Sequence, residues 1–236
     1  MSCQLFWKHK PKSHILFDLN IDPLLNSRIG IATTYGKPYY RFSTSLKILN
    51  ISFDSILPED ILNYDGDLIL TTRREAPIKY EKPMLNEDIL EQPPTVIRGL
   101  MIQKLSSGYE QDLVIGIDPG QIIGLSIFYF GREIESSFNS SIEESVLHII
   151  KILGGLRARR KIVKIGNGNM NVAKEIVSML NLKFCSSFEL EFVDEHKTSL
   201  KIKNFNQRGK RDMLSAKYIS QREGFRYSIL PLSLTG

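Results

Sequence analysis

An apolar run that ends on an acid, turns through a proline and a glycine, and then resumes constrains this chain more than any other feature. The segment DLVIGIDPGQIIGLSIFYFGREIES, residues 112–136, reads as strand, turn and strand. The first run ends in Asp118, Pro119 and Gly120 make the turn, and the second run starts at Ile122. One carboxylate is thereby left where a buried strand meets its turn. The sheet fixes the backbone around it, which suits a divalent metal ion. Period-two alternation places Val114, Gly116 and Asp118 on one face of the strand. Gly116 and Gly124 either allow another backbone to approach there or serve twist and packing.

Elements around this hairpin follow from pattern. RIGIATT (28–34) and DLILTT (67–72) read as strands, with a helix between them that carries Tyr39, Phe42, Leu46 and Leu49 near one face. That order predicts a small parallel βαβ unit. Residues 75–94 hold Pro77, Pro83, Pro93 and Pro94 and read as a linker, with a short helix after it. The domain boundary is placed near residue 108, giving a small N-terminal α/β domain (1–108) with a basic arm and Pro-rich linker, and a second domain (109–236). In the second domain, strands at 112–118, 122–130 and 132–138 precede a helix started by Ser140 or Ser141 with Glu143 and Glu144 as capping-box partners. Strand KIVKIG, a helix, strand LEFVD, a basic loop from His196 to Lys210 and a last helix beginning near Asp212 complete a mixed α/β layout.

The chain has 236 residues, 42% of them hydrophobic, ordinary for a globular protein. Its two cysteines, Cys3 and Cys185, have no ligand spacing, which argues against a disulfide scaffold or cysteine-bound zinc. No apolar run is long enough to span a bilayer, and no signal core follows the basic start, so the expected compartment is cytoplasmic. The net charge is +5. Lys197, Lys201, Lys203, Arg208, Lys210, Arg211, Lys217, Arg222 and Arg226 crowd the C-terminal region, and Arg157, Arg159, Arg160, Lys161 and Lys164 form a second cluster. Such clusters either solvate a surface or attract phosphate backbones.

The order of elements, with IGIDPG followed by GLSI, resembles the ribonuclease H-like fold and, within it, the RuvC/YqgF-type branch that includes Holliday-junction resolvases. VDEHKTS is similar to the YqgF-type motif in which an acid pair follows an apolar strand. KIGNGN resembles the corresponding strand of Tex-type transcription proteins, and KRDMLSAKYIS the final helix. The likeness covers about residues 112–223. It implies a five-stranded mixed sheet flanked by helices and a metal-dependent nuclease acting on DNA or structured RNA, DNA ahead of RNA, with branched DNA as one substrate. Mg²⁺ or Mn²⁺ would be the cofactor, held by Asp118, Glu195 and Asp212. A homodimer is consistent with the resolvase likeness. Alternation puts Asp194 and Glu195 on opposite faces and cannot choose between them; the resemblance favours Glu195. Asp212, placed in the first turn of its helix, could equally serve the helix dipole. Asn167 stands where a resolvase would carry an acid; it contacts phosphate or caps the next helix. Lys197, Thr198, Ser199, Arg208, Lys210 and Arg211 are the other candidate nucleic-acid contacts, and Thr71, Thr72, Arg73 and Arg74 are candidates for phosphate at an N-terminal strand end. The alternative is a nucleic-acid-binding module without catalysis, as in Tex-type proteins. An enzyme of the actin or sugar-kinase type would need a second Asp-x-Gly-rich hairpin, which the sequence lacks.

Overall fold

The computed structural model describes residues 23–79, 81–106, 111–183, 188–195 and 208–227. One helical turn, α1 (Pro23–Asn26), leads into β1 (Ile29–Ala32), every residue of which is buried. Helix α2 (Gly36–Ile48) turns Phe42 and Leu46 into the core, with Tyr39 and Leu49 packed at the margin, as their spacing requires. Strands β2 (Asp54–Ile56), β3 (Leu68–Thr71) and β4 (Met84–Asn86) complete a sheet of order β2-β1-β3-β4. All its pairings are parallel. The expected βαβ pairing of β1 with β3 is present, from Ile29 opposite Leu68 to Ala32 opposite Thr71.

Residues 75–94 are more than a linker. Met84–Asn86 is an edge strand, followed by a 3-10 helix at Glu87–Glu91. Leu85 is buried there, and the Ile69 amide donates to the Pro83 carbonyl at 3.1 Å. A proline tolerates this place because it lends a carbonyl to its neighbour strand and is not asked for an amide hydrogen.

Helix α3 (Pro94–Leu105) buries Val96, Ile97, Met101 and Ile102. These residues belong to one continuous apolar cluster that includes Phe42 and Leu70 on one side and Ile115, Val146 and Ile165 on the other. The boundary expected near residue 108 falls at 107–110, outside the described residues.

The second sheet opens with an antiparallel meander, β5 (Leu113–Asp118), β6 (Ile123–Tyr129) and β7 (Arg132–Asn139). Helix α4 (Ile142–Gly155), strand β8 (Lys161–Gly166), helix α5 (Met170–Lys183), strand β9 (Glu189–Val193), helix α6 (Arg208–Gln221) and strand β10 (Phe225–Tyr227) follow. The sheet order is β10-β9-β8-β5-β6-β7. β8 runs parallel to β5, and β9 parallel to β8. A three-stranded meander whose first strand is extended by parallel crossovers is the ribonuclease H-like arrangement. The five expected strands are all there, and β10 adds a sixth, antiparallel to β9.

Two expected helix starts shift. Ser141 alone is the N-cap of α4, its Oγ accepting from the Glu144 amide at 3.3 Å. Helix α6 begins at Arg208, so Asp212 lies in its second turn, beyond the reach of the end-dipole argument.

Candidate active site

Helix α6 crosses one face of the second sheet so closely that glycines are required beneath it. A Cβ on Gly124 would stand 2.2 Å from the Asp212 carbonyl oxygen, and one on Gly116 would stand 2.2 Å from the Ala216 carbonyl oxygen. Backbone atoms cannot yield at such distances. Ala216 is fully buried, so the small residues of KRDMLSAKYIS do bring this helix onto the sheet. On β8, a Cβ at Gly166 would meet both Glu195 Oε1, at 1.8 Å, and Ile219 Cδ1, at 2.8 Å. The side chain of Glu195 therefore lies on the α6 face.

Of the two acids that follow β9, Glu195 is thus placed toward α6, while the Asp194 carboxylate accepts from Asn167. Asp118 shares the face of Gly116, the glycine under Ala216. It is paired with Gly124, the glycine under Asp212, and follows Ile117, which is level with Ile165 on β8. Neighbouring strands are about 4.8 Å apart, so Asp118 sits beside both the Asp212 backbone and the Glu195 carboxylate.

Electrostatics report the same convergence. Burial first, then the charges of Glu195 and Asp212, push the Asp118 carboxyl up to about 7, against a Ser215 hydrogen bond and Arg211 that pull it down. Arg211 Nε stands 4.0 Å from Asp212 Oδ1. Three carboxylates far apart in sequence thus meet at the ends of β5 and β9 and on α6. Glu195 Oε1 accepts from the Gly168 amide at 3.0 Å, so it rests on the Gly166–Gly168 turn. Among the described residues, no group of three or more His, Cys, Asp or Glu side chains is placed to hold a metal ion. Asp118, Glu195 and Asp212 lie near enough for their charges to act on one another and do not form a ready-made metal site.

Asn167 does not cap the next helix. Asn169 has that place, its Oδ1 accepting from the Val172 amide at 3.3 Å. Asn167 instead joins the strand ends: its Oδ1 accepts from the Glu195 amide at 3.0 Å, and its Nδ2 donates to Asp194 Oδ1 at 3.3 Å. A short amide does this because it offers both donor and acceptor to consecutive residues of the adjacent strand.

Of the candidate nucleic-acid contacts, Lys210 and Arg211 are exposed at the start of α6, beside Asp212. Lys197, Thr198 and Ser199 lie outside the described residues, as does the side chain of Arg208. The basic cluster at 157–164 does not flank the acids. Arg160 and Lys161 are at the opposite end of β8, about 15 Å away along a strand. Arg159 pairs with Asp112 at 3.2 Å, Arg160 with Glu189 at 2.7 Å and Lys164 with Glu191 at 3.4 Å. Three of the four N-terminal candidates are also engaged. Buried Thr71 donates to the Ala32 carbonyl, Thr72 donates to Glu75, and Arg73 pairs with Asp88.

Pattern reading missed two aromatic side chains near the acids. Phe138 is 51% exposed, directly across from Gly124, with its ring against Gly209. Phe225 is 81% exposed at the sheet edge. A lone aromatic near the end of a polar strand, as in β7, or in a three-residue strand, as in β10, carries no periodic signal.

No family model matches the sequence, and no curated protein does. Among solved structures, the chain is similar to a crystal structure of A. aeolicus Argonaute, with 14% identity and a TM-score of 0.29 over 70% of this chain and 34% of that one. It is also similar to Aa-Ago with externally bound siRNA, with 12% identity and a TM-score of 0.26 over 70% of this chain and 35% of the other. The chain spans about a third of the length of the Argonaute chains it matches. The ribonuclease H-like assignment rests on strand order and direction, not on these scores. Among the described residues, no helix is long and apolar enough to cross a membrane.

Proposed function

We propose that the protein is a metal-dependent nuclease that hydrolyses phosphodiester bonds in DNA or structured RNA, with Asp118, Glu195 and Asp212 as its acidic site. One observation carries the reading: sheet glycines let the α6 backbone lie against the strands beside Asp118, where burial first, and then the charges of Glu195 and Asp212, push its carboxyl up to about 7. Mutual repulsion of this kind is unfavourable unless a cation or a proton relieves it. By its chemistry, though not by the present spacing of its side chains, the donor set suits Mg²⁺ or Mn²⁺, which bind through a few carboxylates and keep water for the rest. Bound there, divalent ions would supply an activated water and charge stabilisation for the leaving oxygen. Asp118, Glu195 and Asp212 would hold them. Glu195 is kept in place by Gly168 and Asn167, and Lys210 and Arg211 offer cationic contacts to the substrate backbone.

RuvC/YqgF-type membership, a homodimer and a cytoplasmic setting extend the same reading from sequence resemblance. They favour branched DNA as a first substrate to try. A second reading, binding without cleavage, draws support from Asn167, an amide at a strand end where resolvases carry an acid.

Labelled four-way junction, duplex DNA, single strand and RNA–DNA hybrid, each incubated with Mg²⁺ or with EDTA, separate the two. The nuclease reading expects cleavage only with the ion, and Asp118→Asn should reduce it at least about 10³-fold while leaving binding in place. Binding by the wild type with no cleavage of any substrate would favour the second reading.

A further inference from the structure

Strand β9 ends and strand β10 begins beside an open cleft of about 420 Å³, lined by Asn167, Phe192, Val193, Asp194 and Phe225. Phe225 and Phe192 are direct partners in the antiparallel register. Residues so paired have Cβ atoms about 5 Å apart, and both phenylalanines line the cleft. Phe192 is half-buried against the core, whereas Phe225 is 81% exposed. An exposed phenyl ring at a cleft mouth is costly in water and gains by covering a flat partner.

Charge narrows the occupant. The rim carries the carboxylate of Asp194, which repels phosphate and accepts hydrogen bonds from the N–H groups of a neutral ring. The cleft is also joined to the acidic site. Asn167, which lines it, holds the Asp194 side chain and the Glu195 amide at once. Asp194 lines the cleft, and the next residue, Glu195, lies over Gly166 on the α6 side, so a chain passing over the end of β9 meets the cleft and the acidic site in succession.

We propose that this cleft takes one unpaired nucleobase of the bound strand, stacked on Phe225 and Phe192, while the backbone lies across the carboxylates. The proposal rests on the reading of the acidic site as one that handles nucleic acid, and it deepens that reading: the substrate presents an unstacked base next to the cleaved phosphate. Base–aromatic stacking tolerates any base, so the subsite selects strand state before sequence.

The test uses the full chain in EDTA and single-stranded oligonucleotides carrying 2-aminopurine at successive positions. Stacking quenches the fluorescence of this base. One position should quench on binding. Phe225→Ala should abolish that quench and weaken affinity about 5- to 10-fold, and Phe225→Trp should retain both. Phe225 is exposed, and a thermal melt equal to wild type confirms that the variant folds. Quench and affinity unchanged in Phe225→Ala would overturn the subsite, as would failure to bind any oligonucleotide. A parallel Mg²⁺ cleavage assay keeps the two readings apart. Quenching without cleavage leaves the base subsite and sinks the nuclease; cleavage indifferent to Phe225 does the reverse.

Discussion

Asp118 is asked to carry a charge in a place that resists one. Burial and two neighbouring carboxylates raise its carboxyl from 3.8 to about 7, so the folded chain holds this proton more tightly than the unfolded chain does. Stability from that proton is fully present below about pH 4 and is withdrawn as pH rises to about 7, by up to about 4 kcal/mol at 1.36 kcal/mol per unit. Asn at this position keeps the shape and removes the charge. In EDTA at pH 8, Asp118→Asn should therefore melt above wild type, and the gap should close at pH 4. Thermal melts across that range check it, and added Mg²⁺ should raise the wild-type melting temperature at pH 8 and not that of the variant. At limiting Mg²⁺, cleavage should also fall as pH drops below about 7, because the ion must displace the proton. Gly166 supplies a second prediction. A methyl group there would displace Glu195 Oε1 from 1.8 Å and press on Ile219. Gly166→Ala should lose most cleavage, by about 10²-fold, together with about 1–3 kcal/mol of stability in denaturant melts. The KIGNGN motif was legible as a turn, but its use as a seat for Glu195 was not, because the seat and its occupant are on different strands.

Elements were legible in proportion to their length. The hairpin, β8, β9 and the amphipathic helices repeat a period long enough to be read. β2, β4 and β10 have three residues each and repeat nothing. Their partners place them: Phe225 to Tyr227 are strand only because Leu190 to Phe192 offer an open edge. The junction of α3, β7 and α4 was unreadable for the same reason. Half-buried Glu135 of β7 accepts from Thr95 of α3, and His148 Nε2 of α4 lies 2.8 Å from both its oxygens. Burial alone would raise the Glu135 carboxyl; hydrogen bonds and charge from His148, with the hydroxyls of Ser137 and Thr95, hold it below the ordinary value. Its stabilising effect is present above the unfolded carboxylate pKa and is lost as pH falls through the lower folded one. Glu135→Ala strands these partners together and should cost about 2–4 kcal/mol at pH 7. The loss should shrink in melts below pH 4, where the wild type forfeits the same contacts.

Over the whole molecule, a net charge of +5 says less than where its cations are engaged. Arg159, Arg160, Lys164 and Arg226 are paired with acids of the second sheet, and Lys217 is paired with Glu133 at 2.7 Å. Lys210 and Arg211 are exposed beside the acids at the start of α6, with Arg211 Nε 4.0 Å from Asp212 Oδ1. Charge counting along the sequence weighted all of these alike, which is why it left the 157–164 cluster open between a solvated surface and one for phosphate. Each cation that meets a phosphate releases counterions, so affinity for nucleic acid should fall linearly on a log–log plot against salt. Replacing Lys210 and Arg211 by Ala together should flatten that slope by about 1.4 on single strands and about 1.8 on duplex, whereas replacing Arg159 and Arg160 should lower stability and leave the slope alone. Filter binding of wild type and both double variants between about 50 and 200 mM salt decides it. A slope that follows Arg159 and Arg160 instead would move the substrate to the far end of β8, away from Asp118.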